Sequence, residues 1–156
     1  MLFRSTTKNS LVLFHNVKDK YGRQIYDYLR EKTRDKTVFY VDGATPIGLR
    51  DDYINRMEEG EDKILIASFG TFSTGISINN IHNVFFVESY KSEKIVRQSI
   101  GRGMRLMSGK EKVNIIDFVD DFSIGRSKNY LLKHGDERTK IYQEQGFPFK
   151  EYHVRL

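Results

Sequence analysis

Gln98-Ser99-Ile100-Gly101-Arg102-Gly103-Met104-Arg105 sets two arginines and a glutamine at helical spacing around a glycine. Residues three or four apart share a helix face, so a helix here places Arg102 beside Arg105, with Gln98 one turn earlier on the same side. A guanidinium carries planar, fixed donors that match phosphate oxygens, and Gly101 lets another backbone come close. The pattern predicts a grip on one charged group. A solvated amphipathic helix has the same spacing, so the flanking sequence must separate the two.

Downstream, residues 113–118 are an apolar strand ending in Asp117, with Asp120 and Asp121 read as a helix cap. Upstream, residues 83–87 form another strand, followed by Glu88 and Ser89, and residues 63–67 a third. Residues 68–80 are small and polar (Ser68, Gly70, Thr71, Ser73, Thr74, Gly75, Ser77) and predict a loop with at most one helical turn. Residues 10–15 and 37–41 complete the strands; their unbroken apolar runs suit burial on both faces, and the second stops at the turn pair Asp42-Gly43. Between them, residues 18–32 predict a helix with Ile25, Tyr26 and Leu29 inward, and residues 48–59 one with Leu49, Tyr53, Ile54 and Met57 inward. A last helix is predicted over 128–145, with Tyr130, Leu131, Ile141 and Tyr142 apolar and with Lys128, Lys133, Arg138 and Lys140 on a solvated face. Residues 152–156 make an edge strand or nothing ordered, and residues 1–9 a polar linker or tail, mobile unless a neighbour holds it. Strands alternating with helices imply an α/β fold, a parallel sheet of five or six strands flanked by helices in three layers. Such sheets bind ligands in the loops at their strand carboxyl ends.

Composition narrows the function classes. A chain of 156 residues is one domain, short for a complete two-domain motor. There is no cysteine, which excludes disulfides, a thiolate nucleophile and a cysteine-built zinc site; the 4 histidines are scattered without metal-ligand spacing, so no metal site is expected. The net charge of +5 permits a polyanion partner. No apolar run approaches the roughly 20 residues that span a bilayer, and residues 1–10 lack the apolar core of a signal peptide. An intracellular, cytoplasmic protein with no membrane association and no obligate oligomer is expected.

The stretch from Gln98 to Arg105 resembles motif VI, Q-x-x-G-R-x-x-R, of the superfamily 2 helicases. Leu11 to His15 with Asn16 looks like motif IV, Val41-Asp42-Gly43 with Arg50 and Arg56 like the segment after it, and Ile64 to Ile78 like motif V, all in the family's order. The match runs from Ser10 to about Phe122 and corresponds to the C-terminal RecA-like domain, with residues 128–156 as a helical extension. The wording of Phe72-Ser73-Thr74-Gly75-Ile76-Ser77 and the tail are most similar to phage branch-migration helicases of the UvsW type.

The resemblance implies that Arg102 and Arg105 are arginine fingers on ATP, with Gln98, Gly101, Gly75 and Ser77 near the nucleotide. It also implies ATP with Mg2+ held mainly by an N-terminal RecA-like domain of the same protein, a branched or duplex DNA partner, and work in recombination, repair or fork remodelling in the cytoplasm of a host cell. Nucleic acid would meet His15, Asn16, Gly43, Ser68, Thr71 and Thr74, since translocation needs phosphate contacts that ignore sequence. For His15, packing at a strand end is an equal reading. Two departures stand out: Ser77 replaces the acidic residue common two positions after the motif V glycine, and the loop from Ala67 to Gly75 looks one residue long. Gly103 to Lys110 imitates a Walker A loop, but its glycine spacing is wrong and Glu111 stands where Ser or Thr should hold Mg2+. With no Walker loop in these residues, the chain alone is expected to hydrolyse no ATP. A non-motor nucleic-acid binding module and a degenerate RecA-like interaction scaffold remain open alternatives.

Overall fold

The computed structural model describes residues 7–18, 20–88, 97, 112–122 and 129–154. Among them, five strands build one parallel sheet: β1 (Ser10–Phe14), β2 (Thr37–Val41), β3 (Lys63–Ser68), β4 (Asn83–Phe86) and β5 (Asn114–Asp117), in the order β2-β3-β1-β4-β5. The helices are α1 (Tyr21–Lys32), α2 (Ile47–Glu58), α3 (Phe69–Gly75) and α4 (Tyr130–Glu144).

Successive strand residues point to opposite faces, and here both faces are apolar. Leu11, Leu13, Phe39, Val41, Leu65, Ala67, Val84 and Phe86 pack on one side with Met57 of α2, Phe69 and Phe72 of α3, and Ile141 and Tyr142 of α4. Val12, Phe14, Ile64, Ile66 and Phe85 pack on the other with Leu29, Ile25 and Tyr26 of α1. Two-sided burial is what makes the strands read as continuous apolar runs, and each such side chain fully withdrawn from water contributes about 1.5–3 kcal/mol. The α1 helix comes so close to the sheet that a Cβ on Gly22 would lie 2.2 Å from the Phe14 ring, so glycine is required there.

At the amino edge, buried Asn9 ties elements together. Its side-chain amide donates to the carbonyls of Met57 (2.7 Å) and Gly60 (2.6 Å) and accepts from the Lys63 amide (2.9 Å), while its carbonyl takes the amides of His82 and Asn83. Lys8 pairs with Glu61.

Four expectations are corrected. The segment after β3 is the helix α3, not a loop: Ser68 caps it, accepting from the Thr71 amide (3.3 Å), and Phe69 and Phe72, three apart, are buried, Phe69 stacked on Phe86 with ring centroids 5.8 Å apart. Burial of two rings outweighs the poor helix propensity of Gly, Ser and Thr. Leu49 is 41% exposed, because the inward face of α2 begins a turn later at Tyr53, whose ring stacks on Phe39 at 4.7 Å. Tyr130 is 65% exposed, leaving Ile141 and Tyr142 to anchor α4. Arg138, expected in solvent, is buried for the reason given below. Residues 152–154 form no strand.

Candidate functional site

The register aligns the strand carboxyl ends: Val41 lies beside Ala67, Phe14 beside Ser68, Leu13 beside Phe86, and Phe86 beside Asp117. The residues that follow, Asp42-Gly43, His15-Asn16, Ser68 and Val87-Glu88, therefore share one edge. The chain leaves β1 for α1 on one face and β3 for α3 on the other. Adjacent strands whose connections part in this way open a crevice at their carboxyl ends, the usual ligand position in such sheets.

On the β4 side of β1, at the same edge, the Glu88 carboxylate accepts from two consecutive main-chain amides through a single oxygen, Oε2: from His15 and, at 2.8 Å, from Asn16. His15 is exposed, Asn16 and Glu88 half-buried. Beside them the Tyr21 hydroxyl donates to the Val87 carbonyl at 3.3 Å. Burial first, then the charges of Glu88 and Asp120, raise that hydroxyl above the ordinary tyrosine pKa.

At β3, the Ser68 hydroxyl donates to the Thr71 hydroxyl at 2.9 Å, and both are buried. The Ser73 and Thr74 hydroxyls donate back to the Gly70 carbonyl at 3.0 and 2.9 Å, with Thr74 exposed. Gly75 is exposed and ends α3 with open space around its Cβ position and without a left-handed backbone, so nothing among the described residues requires a glycine. Ser77 is half-buried. After β2, Asp42 Oδ1 accepts from the Ala44 amide (3.0 Å) and the Thr45 hydroxyl (3.1 Å), while Arg50 donates to the carbonyls of Thr45 (2.8 Å) and Gly43 (3.0 Å). Arg50 thus braces the turn that presents exposed Gly43.

Residues 1–107 match the helicase conserved C-terminal domain family. The chain belongs to that family. It is 34% identical over 159 aligned residues to the ATP-dependent DNA helicase uvsW of Enterobacteria phage T4, an alignment covering 96% of this chain and 31% of that protein. The crystal structure of T4 UvsW superposes with a TM-score of 0.71 at 28% identity, over 90% of this chain and 30% of that one. Domain 2 of the DEAD-box helicase Mss116p shares the fold, with a TM-score of 0.61 at 20% identity over 73% of this chain and 43% of that one. The chain thus spans about a third of the UvsW length, and its sheet is that of RecA-like helicase C-terminal domains.

For a helicase C-terminal domain, the structure brings His15, Asn16, Gly43, Ser68, Thr71, Thr74, Gly75 and Ser77 to β1, β2 and β3 exits or the α3 segment. Gln98, Gly101, Arg102 and Arg105 lie outside the described residues. Glu88, which caps the His15 and Asn16 amides, is the residue of this edge that sequence reasoning passed over. Its signal was position, an acid directly after an apolar strand.

A second polar cluster was missed altogether. Arg138 of α4 is 2% exposed and forks onto Asp117, Nε to Oδ2 at 2.7 Å and Nη2 to Oδ1 at 2.8 Å, and the Tyr142 hydroxyl donates to Oδ2 at 2.8 Å. Burial opposes the Arg138 charge, but the Asp117 hydrogen bonds and charge outweigh it and raise the guanidinium pKa. Burial, followed by the Asp117 charge, also pushes the Tyr142 hydroxyl well up. The α4 helix closes tightly on this corner: a Cβ on Gly135 would lie 2.6 Å from Val119. His134, Arg138 and Tyr142, four apart and all buried, form an inward polar stripe that the sequence did display.

Proposed function

We propose that this chain is the C-terminal motor domain of an ATP-dependent DNA helicase or translocase that remodels branched or duplex DNA in recombination, repair or fork processing. Arg102 and Arg105 act as arginine fingers on ATP held by an N-terminal RecA-like domain of the same protein. The observation that carries this reading is the 34% identity to a DNA helicase across 96% of the chain. The family match also runs through Gln98 to Arg105. These arginines neutralise charge that develops on the transferring phosphoryl group, an effect worth about 10³-fold or more in rate. The ligands for Mg2+ are assigned to the other domain, which holds the nucleotide, and no step here runs through the ion. Gln98 and Gly101 accompany the fingers, while Gly75 and Ser77 approach the nucleotide.

The nucleic-acid strand crosses the carboxyl edge of the sheet, meeting main-chain amides at His15, Asn16 and Gly43 and the exposed Thr74. Buried Ser68 and Thr71 act there by fixing α3 rather than by touching the strand. No helix among the described residues is long and apolar enough to cross a membrane.

The test is steady-state DNA-stimulated ATPase in the complete two-domain protein. Arg105→Lys keeps the charge and loses the two-pronged donor, so turnover should fall by roughly 10²- to 10³-fold with far less change in nucleotide affinity. Arg102→Lys should behave alike, and the isolated chain should show no turnover. Parental rates in both variants would remove the finger assignment and the motor reading with it.

A further inference from the structure

We propose that Glu88 is the built-in occupant of an anion seat: its carboxylate fills the position that a nucleic-acid phosphate takes on the His15 and Asn16 amides, and strand binding has to displace it. This deepens the proposed function and rests on it for the identity of the incoming anion.

Two successive amides converging on one oxygen form an anion-binding concavity, and charge-assisted hydrogen bonds of this kind are about twice as strong as neutral ones. The carboxylate arrives from the neighbouring strand: Leu13 pairs with Phe86, so His15-Asn16 and Glu88 emerge side by side. Among the described residues, the partners of this carboxylate are main-chain amides and not a cationic side chain. Amides that hold a carboxylate oxygen in this way can equally hold a phosphate oxygen. The seat is also open, with His15 exposed and both Asn16 and Glu88 only half-buried.

Replacing a bound carboxylate by a phosphate exchanges like for like at the amides. The net gain from that contact is small while the displaced charge stays nearby to repel the strand. Glu88→Gln keeps an oxygen that can cap the amides but removes the charge, so a phosphate enters without being opposed.

The experiment measures fluorescence anisotropy of labelled oligodeoxythymidine with this chain at low salt, alongside amide NMR titration with inorganic phosphate. Glu88→Gln should bind the oligonucleotide about five-fold tighter than the parent. Asp120→Asn removes the same charge from the same neighbourhood without touching the amides and should change affinity less than about two-fold. In the NMR arm, phosphate should shift the His15 and Asn16 amide resonances at lower concentration in Glu88→Gln than in the parent. Equal tightening by both variants would mean a general field effect and overturn the proposal. So would His15 and Asn16 amides that phosphate leaves unmoved in Glu88→Gln. If phosphate moves those amides in the variant but no oligonucleotide binds either protein, the seat stands and the nucleic-acid reading falls. Circular dichroism melting confirms that each variant is folded.

Discussion

The carboxyl edge of β1, β3 and β4 and the corner between β5 and α4 are both polar breaks in an apolar sheet, yet they are built in opposite ways. At the edge the polar groups are amides and small hydroxyls, partly open to water, and the carboxylate among them is half-buried with no cation opposite it among the described residues. At the corner a guanidinium is taken out of solvent and forks onto one carboxylate, which also accepts from a phenol. A polar group that keeps access to water can exchange partners with a ligand. One that has lost water can only hold the partner it folded with, because an unpaired buried charge is too costly. The first arrangement suits a site and the second a joint, here joining the last strand to the last helix.

The largest expected effect tests the joint. Arg138→Ala leaves the Asp117 carboxylate, 14% exposed, without its partner, and urea denaturation followed by circular dichroism should show a loss of about 3–5 kcal/mol. A double variant, Arg138→Leu with Asp117→Leu, should recover part of it. A loss below about 1 kcal/mol for Arg138→Ala would reduce the corner to an ordinary surface pair and erase the contrast.

Alkaline pH sharpens it. In the unfolded chain Tyr142 and Tyr40 ionise near 10.0; folding raises both, Tyr142 by burial and then the Asp117 charge, Tyr40 to about 12 by burial and then its hydrogen bond to Asp42. A folded state that holds its protons more tightly gains stability that is complete below pH 10.0 and is lost as pH climbs through about 12 for Tyr40 and higher for Tyr142. The melting temperature should therefore fall steeply above that lower limit, and Tyr142→Phe should flatten the fall. An unchanged slope in Tyr142→Phe would show that this hydroxyl is not held by the corner.

Smaller effects probe the edge. Ser68→Ala removes the cap of α3 and should cost about 1 kcal/mol in the same denaturation assay, while leaving the sheet intact. A loss as large as that of Arg138→Ala would mean that the edge, too, is a joint. Smallest of all, Arg97→Lys alters a surface pair with Glu144 of α4 at 2.5 Å, which should change stability by less than about 0.5 kcal/mol and leave DNA-stimulated ATPase near parental.

How legible each region was follows from the kind of interaction that made it. The strands were readable because residues such as Leu11 to Phe14 and Ile64 to Ala67 are apolar on both faces, a property carried by neighbouring residues in the chain. The α2 helix was readable from Tyr53, Ile54 and Met57 at helical spacing, but Leu49 belonged to the same pattern and lies exposed. The α3 helix was hidden, since Gly70, Thr71, Ser73 and Thr74 speak against a helix and only the docking of Phe69 and Phe72 imposes one.

From its residues alone the chain determined a parallel α/β sheet and the family it belongs to. Each of those depends on local periodicity or on a motif whose members lie within a few residues of one another. Only the tertiary structure decided that Glu88 sits on the His15 and Asn16 amides and that Arg138 leaves solvent for Asp117. Those partners are far apart in the chain, and a charge written in the sequence carries no sign of whether it will meet water or its opposite until the strands have set their register and the helices have closed over them.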